Sequence, residues 1–376
     1  MAEQQMHGGK RMKILHIIDS LSMGGAENVL IGLSSGQKRL GHDVTIMPLV
    51  CPPQTPVRSK IEDNNVLVAP FLERGSVYNP RLIFKIAKVL KNYDLVHVHL
   101  FPALYWAFYA KVLSCCRVPM IYTEHSTNNK RRNNALLHCM DSLVYQHGYK
   151  MIVACAEKVL DTYKKAFPKV KHTCYINNGV ETSLYANAKS YTKNELLEVS
   201  DEIFLITMVA RFMSMKRQDT IVEALIKLPS DVHAVFVGGN EEDEGLRRVK
   251  NLAETNGVLD RVHFLYVRDD VPRILKTSDV IIMASDYEGL SLSSIEGMAA
   301  GKPFIASDVN GLREVVGGAG LLFENKNADA LADLIIKLKT QPDYYFQISH
   351  ACEARSKEFD VNAMVESYLQ VYNALI

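Results

Sequence analysis

The 376-residue chain lacks an uninterrupted apolar run of membrane-spanning length. Its most membrane-like stretch, L-V-H-V-H-L-F-P-A-L-Y-W-A-F-Y-A-K-V-L at 95–113, carries two His, a Pro and a Lys, and reads as a buried strand followed by a helix. Cysteine is sparse: the seven are scattered and none forms C-x-x-C. The adjacent Cys115 and Cys116 suit neither a simple disulfide framework nor a zinc knuckle, so reduced thiols in a cytosolic protein are expected. The polar start, M-A-E-Q-Q-M-H-G-G-K-R-M, has no signal-peptide pattern and points the same way. There is no short-period repeat. A G-x-G-x-x-G fingerprint is missing too, and no acid closes the second strand to hold a ribose, which leaves a nicotinamide cofactor little support.

What is present is unevenly distributed. The net charge of +1 conceals 23 Lys and Arg against 12 Asp and Glu in residues 1–180, and 20 against 30 in the remainder. Halves of opposite sign suggest different duties, or simply attract one another. Single cores tend to divide beyond roughly 250–300 residues, so two domains are expected. Short apolar runs alternate with helix-period segments almost throughout. Strands are predicted at 13–18, 43–50, 65–70, 94–99, 118–123, 150–154 and 172–176, then at 204–210, 233–238, 262–267, 280–284 and 303–306. That alternation predicts an α/β chain: two doubly wound, Rossmann-like parallel sheets covered on both faces. The polar stretch 181–201 is expected to link them. The expected domains are 1–183 and 184–360, with a final helix at 361–376 packing back on the first. Ligands of such sheets bind at the carboxyl ends of the strands, in the cleft between two facing domains.

Several groups follow strand ends and are candidates for chemistry. Gly24 and Gly25 stand between the first strand and a helix, where a backbone can approach an anion closely. Taken alone, they read more simply as a structural turn. Arg211 and Lys216 follow V-A-R-F-M-S-M-K; a planar fork and a point charge together suit a diphosphate, and a solvated surface suits them as well. The loop and helix S-D-Y-E-G-L-S-L-S-S-I-E-G place Glu288 and Gly289 before a helix start whose Leu290, Ser291 and Leu292 amides can address phosphate or sugar oxygens. Glu296 can reach the hydroxyls of a ribose, or Ser293 and Glu296 can form a capping box. His125 directly follows a buried strand, as ligand to a hydroxyl or as a core histidine. His97 and His99 share one strand face; their spacing permits a metal, but no further ligands are evident and core packing is the simpler reading.

Taken in order, M-G-G-A-E-N, D-L-V-H-V-H, P-M-I-Y-T-E-H-S-T, I-N-N-G-V-E, V-A-R-F-M-S-M-K-R, S-D-Y-E-G-L-S-L-S-S-I-E-G-M-A-A-G-K-P-F-I-A-S-D and N-G-L-R-E-V-V resemble the motifs of family-four retaining glycosyltransferases, which have the GT-B fold. The resemblance spans nearly the whole chain. It implies that Arg211 and Lys216 hold a donor diphosphate, with Gly24 or Gly25 approaching it from the other domain. Glu288 would bind the transferred sugar and Glu296 the ribose; His125 would lie near the sugar and acceptor, and the base against the segment around Val267. The chain departs from the family pattern at Ala210 and Tyr266, where Gly is frequent, and at Asn177, where Pro is common.

The implied reaction is transfer of a hexose from a nucleotide diphosphate sugar, a UDP-sugar being favoured, with retention. Cations and helix amides would stabilise the departing diphosphate, so neither a metal nor another cofactor is expected; Glu242-Asp243-Glu244 makes a poor metal site. A GT-B-type nucleotide-sugar epimerase or sugar phosphorylase is the alternative. The basic first half, with Lys85, Lys88 and Lys91 on one helix and Lys130-Arg131-Arg132 beyond it, suggests a glycan or lipid-linked acceptor at an anionic membrane surface, met by a peripheral cytoplasmic protein; a solvated helix face explains the same lysines. Nucleic acid is not an expected partner.

Overall fold

Two parallel sheets account for the apolar runs of the sequence in the computed structural model, which describes residues 10–22, 24–125 and 134–376. The chain divides into two units, Met1–Gly179 with Val361–Ile376, and Val180–Asp360.

Unit 1 contains β1 (Lys13–Ile18), β2 (Asp43–Pro48), β3 (Leu67–Val68), β4 (Leu95–His99), β5 (Met120–Glu124), β6 (Met151–Ala154) and β7 (Thr173–Tyr175). They form one sheet in the order β3-β2-β1-β4-β5-β6-β7, every pair parallel. β4 and β5 are buried along their whole length, because helices cover both faces and leave no solvent side for polar residues. The core under them is built from Leu15, Val96, Leu104, Met120, Tyr145 and Tyr163.

The helix Val361–Asn373 lies on the helix Gly25–Arg39 within this unit. A Cβ on Gly32 would come within 2.8 Å of Val361 Cγ2, and one on Gly36 within 2.5 Å of Val365 Cγ2. The two glycines thus set the close approach of the helices, and extra methyls would force them apart. Arg39 donates to Asn362 (2.9 Å) and Gln37 to the Tyr372 hydroxyl (3.2 Å) across the same seam.

Unit 2 contains β8 (Phe204–Val209), β9 (Val232–Val237), β10 (Val262–Phe264), β11 (Val280–Met283), β12 (Phe304–Ser307) and β13 (Leu321–Phe323), ordered β10-β9-β8-β11-β12-β13 and again all parallel. Its core holds Ile206, Met208, Phe236, Ile281, Ile295, Phe304 and Ile335. The stretch 181–201, expected to be a linker, is instead part of this unit. It forms the helices Thr182–Ala186 and Lys193–Leu197. Tyr185 is buried, the Tyr191 N–H donates to Thr277 Oγ1 (2.9 Å), and Lys193 Nζ lies 2.7 Å from Asp279. Most of its polar residues are exposed, but Tyr185, Tyr191 and Lys193 tie it to unit 2.

In each sheet the strand order reverses once, between β1 and β4 in unit 1 and between β8 and β11 in unit 2. Connections leave such a switch point in opposite directions and open a crevice at the carboxyl ends of the two strands.

Candidate active site

At the switch point of unit 2, Lys216 and Glu288 come from the loops after β8 and β11. Lys216 ends the 3₁₀ turn Ser214–Lys216, and its Nζ lies 2.6 Å from Glu288 Oε1, with the side chains only 17% and 12% exposed. Ser285 Oγ donates to the same carboxylate oxygen (2.7 Å). The Glu288 backbone is held as well: its N–H donates to Asn310 O (3.2 Å). Gly311, at φ +84°, sits so close that a Cβ would run into the Glu288 carbonyl. The glycine of N-G-L-R is therefore required twice over, for its left-handed backbone and for the approach.

Arg211 also follows β8, but its guanidinium is exposed and makes no hydrogen bond or ion pair among the described residues. Its backbone is fixed from below. Buried Gln218 donates to the Arg211 carbonyl (3.0 Å), and Gly238, at φ +124°, packs where a Cβ would strike the Ala210 carbonyl. The loop thus presents one open cation beside one already neutralised by Glu288.

The helix Leu292–Ala299 begins at Ser291, which is buried and makes no side-chain cap. Ser293 lies inside the helix, so it does not cap it, and the capping-box reading of Ser293 and Glu296 does not apply. The Ser294 N–H donates to Ser291 O (3.1 Å); the amides before it, from Leu290 to Ser293, have no helical carbonyl to bond. Gly289 and Leu290 lead into this start and are half-buried. Glu296 is one turn further on. Burial pushes its carboxyl above the usual range, and a hydrogen bond with the Tyr185 hydroxyl pulls it partly back. Sequence reasoning missed Tyr185; its signal was an aromatic in a polar stretch that also holds Tyr191. Val267 is exposed after β10. Its neighbour Tyr266 has φ +51°, a backbone that glycine adopts freely and a tyrosine only at a cost of about 1–2 kcal/mol. The Tyr266 carbonyl accepts from Gly238 N–H (2.6 Å), and its hydroxyl donates to Glu241 (2.9 Å).

Unit 1 carries Gly24, Gly25 and His125 at its own strand ends. Gly24 precedes the helix Gly25–Arg39, and a Cβ there would collide with the Glu27 carboxylate, which folds back over the helix start and accepts from Ser22 Oγ (3.1 Å). This helix end therefore already faces a buried carboxylate that sequence reasoning did not assign. Gly25 meets nothing within 4 Å.

His125 follows β5 and stands at the end of a row of imidazoles. His125 Nε2 lies 3.3 Å from His99 Nδ1, His99 Nε2 lies 3.0 Å from His16 Nδ1, and His16 Nε2 lies 2.8 Å from Gln37 Oε1. His97 joins from the side, 2.6 Å from the Tyr372 hydroxyl and 2.7 Å from Thr123 Oγ1. Burial lowers His16 and His125 to about 4, and His97 and His99 well below their ordinary value, so all four are neutral near pH 7. His16, His97 and His99 bring ring nitrogens within 4.8 Å of one another, as metal ligands would be. Every ring nitrogen of the three is already in a hydrogen bond, which favours the core reading of His97 and His99 over a metal site. His16 and Gln37 were not anticipated: one polar residue in an apolar strand, and one glutamine on a helix, carry no local signal.

Lys85, Lys88 and Lys91 are exposed, Lys85 donating to Phe71 O (2.7 Å). Lys130, Arg131 and Arg132 lie outside the described residues. No helix among the described residues is long and apolar enough to cross a membrane.

Comparison with known proteins gives two family matches in chain order: Glycosyltransferase Family 4 over residues 23–184 and Glycosyl transferases group 1 over 192–358. The chain is 26% identical to the N-acetyl-alpha-D-glucosaminyl L-malate synthase of Bacillus anthracis over 310 residues, 78% of this chain and 79% of the relative. It is also 26% identical to the UDP-Gal:alpha-D-GlcNAc-diphosphoundecaprenol alpha-1,3-galactosyltransferase of Escherichia coli over 345 residues, 82% and 86% of the two chains. Among solved structures, Anabaena HepE in complex with UDP superposes with a TM-score of 0.84 at 22% identity, covering 97% of this chain and 100% of that one. Two matched halves, each a Rossmann-like sheet with its motifs at the strand ends, establish that the chain belongs to the family-four glycosyltransferases of GT-B fold.

Proposed function

We propose that the protein transfers a hexose from a nucleotide diphosphate sugar, a UDP-sugar by preference, to a glycan or lipid-linked acceptor, with retention at the anomeric carbon and without a metal ion. The observation that carries this reading is the arrangement after β8 and β11. An open guanidinium (Arg211), a lysine paired to a carboxylate (Lys216 with Glu288) and the free amides of a helix start surround one switch point. Such a set suits a departing diphosphate: fixed cations and dipoles take up its charge without reorganising, which is what a divalent ion otherwise supplies. On donor binding the phosphates compete with Glu288 for Lys216, and the released carboxylate can accept from sugar hydroxyls. Glu296, with Tyr185 behind it, is suited to the ribose diol.

The assignment of a uridine donor draws on the Escherichia coli relative, named for UDP-Gal, and on HepE, whose structures hold UDP and UDP-glucose. The lipid-linked acceptor draws on that same relative and on a Campylobacter jejuni transferase acting on a diphospho-undecaprenol sugar, 22% identical over 356 residues. For the chemical step, the leaving phosphate accepts the proton of the acceptor hydroxyl on the same face of the sugar, so that the carboxylates bind hydroxyls and need not serve as nucleophile.

Thermal-shift profiling against UDP-, GDP- and ADP-hexoses selects the donor. Turnover with that donor is then followed by NMR of the anomeric proton, with and without EDTA. Retained configuration and EDTA-insensitive transfer are expected; inversion, or loss of turnover restored by a divalent ion, defeats the corresponding part of the proposal.

A further inference from the structure

The imidazole row ending at His125 has a direction. Gln37 lies at its far end, with Nε2 donating to the Tyr372 hydroxyl (3.2 Å) and Oε1 turned to His16 Nε2 (2.8 Å). A carbonyl oxygen only accepts, so His16 carries its proton on Nε2 and its Nδ1 is a lone pair. That lone pair accepts from His99 Nε2–H, which leaves His99 Nδ1 bare to accept from His125 Nε2–H. The sequence of donors ends at His125 Nδ1, a buried nitrogen with no hydrogen-bond partner among the described residues. The side arm agrees. Tyr372 accepts from Gln37 and so gives its own proton to His97 Nδ1, and His97 Nε2–H donates to Thr123 Oγ1, which meets Tyr368 at 3.0 Å.

We propose that Gln37, His16 and His99 are positioning residues that lock His125 in its Nε2–H tautomer and so aim a bare Nδ1 lone pair at a hydroxyl of the sugar substrate. That the hydroxyl belongs to a sugar rests on the function proposed above; the tautomer does not. Turning the Gln37 amide over reverses every bond of both arms without breaking one, and it ends with an N–H on His125 Nδ1. A buried N–H without an acceptor is more costly than a spare lone pair, so the Nε2–H arrangement is the lower of the two. A donating hydroxyl at Nδ1 deepens that preference. The arrangement also gives the returning C-terminal helix a role, since Tyr372 supplies the acceptor that the Gln37 N–H needs in this orientation. Neutrality of all four imidazoles keeps the row intact across the physiological range.

Long-range ¹H–¹⁵N correlation on the full-length, histidine-labelled protein reads the tautomers directly, with His125→Asn used for assignment. His16, His99 and His125 are expected as Nε2–H forms with an unprotonated Nδ1. Gln37→Leu removes the acceptor and Tyr372→Phe the clamp; in each, His125 is expected as a mixture of tautomers. Gln37→Glu, which still offers an acceptor to His16, restores the single form. In turnover, Gln37→Leu is expected to lose roughly three- to tenfold in kcat/KM and Gln37→Glu to recover most of it, with UDP affinity unchanged in both. An Nδ1–H form of His125 in the wild-type protein overturns the proposal, as does an unchanged tautomer in both Gln37→Leu and Tyr372→Phe. If the tautomers follow expectation but no sugar transfer is found with any donor, the relay stands and the functional reading falls.

Discussion

Replacing Lys216 by Met keeps the aliphatic stem and removes only the ammonium. Glu288 then retains the Ser285 hydroxyl but loses a charge partner 2.6 Å away, at a place where the two side chains are 17% and 12% exposed. Breaking a fully buried pair from one side costs about 3–5 kcal/mol. Residual solvent contact screens the stranded carboxylate, so about 1.5–3 kcal/mol is expected here. In Lys216→Met/Glu288→Gln no charge is left behind, and stability should return to within about 1 kcal/mol of wild type, so that the second substitution recovers about 0.5–3 kcal/mol. The chain has one tryptophan, Trp106, in unit 1, so fluorescence would follow the wrong unit. Hydrogen exchange of β8 and β11 peptides in rising urea reports unit 2 by itself. Both variants should lack transferase activity, which separates the stabilising role of the pair from its role toward the donor. A double variant no more stable than Lys216→Met would refute the reasoning.

Acid should loosen unit 1. His16 is held near 4 when folded against about 6.5 when unfolded, so the unfolded chain binds its proton more readily. The stability this neutral imidazole carries is complete above pH 6.5 and is lost as pH falls toward 4, roughly 2 kcal/mol of it by pH 5; Trp106 fluorescence in urea at pH 7 and 5 checks this, and equal midpoints would contradict it. Gly311→Ala should lower the melting temperature and abolish transfer, because it combines a positive φ with a clash against the Glu288 carbonyl. Gly318→Ala, at φ +81° with nothing within 4 Å, supplies the control and should lose only the roughly 1–2 kcal/mol of backbone strain. Tyr185→Phe removes the hydrogen bond that opposes burial at Glu296, so the pH dependence of nucleotide affinity should move upward; an unmoved profile means that Glu296 does not face the nucleotide.

The parallel sheets were legible because strands buried on both faces read as continuous apolar runs, as in β4 and β8, where composition and period speak together. β13, Leu321–Phe323, was missed: three residues are too few to show a period. The stretch 181–201 misled because its polarity was read as that of a linker, whereas Tyr191 and Lys193 find Asp270, Thr277 and Asp279 some 80 residues away. For the same reason the sequence pointed to Glu288 and Lys216 separately but not to their pairing. The motifs after strand ends could be found from sequence, since a strand followed by glycines or charges is a local pattern. The row behind His125 could not. Gln37 and Tyr372 are 335 positions apart, and only the returning C-terminal helix brings them together. The capping-box reading at Ser293 failed through a shift of two residues in the helix start, the least certain feature of any pattern.

If the cations and amides at the switch point of unit 2 hold a nucleotide diphosphate, Arg211 is the cleanest probe of that grip, because its exposed side chain supports nothing else among the described residues. Calorimetric titration of UDP into wild-type protein and Arg211→Ala measures this directly. Loss of a charged hydrogen bond to phosphate predicts about a 10- to 150-fold weaker affinity with an unchanged melting temperature. Equal affinity for UDP in the two proteins would contradict the assignment of that loop to the donor.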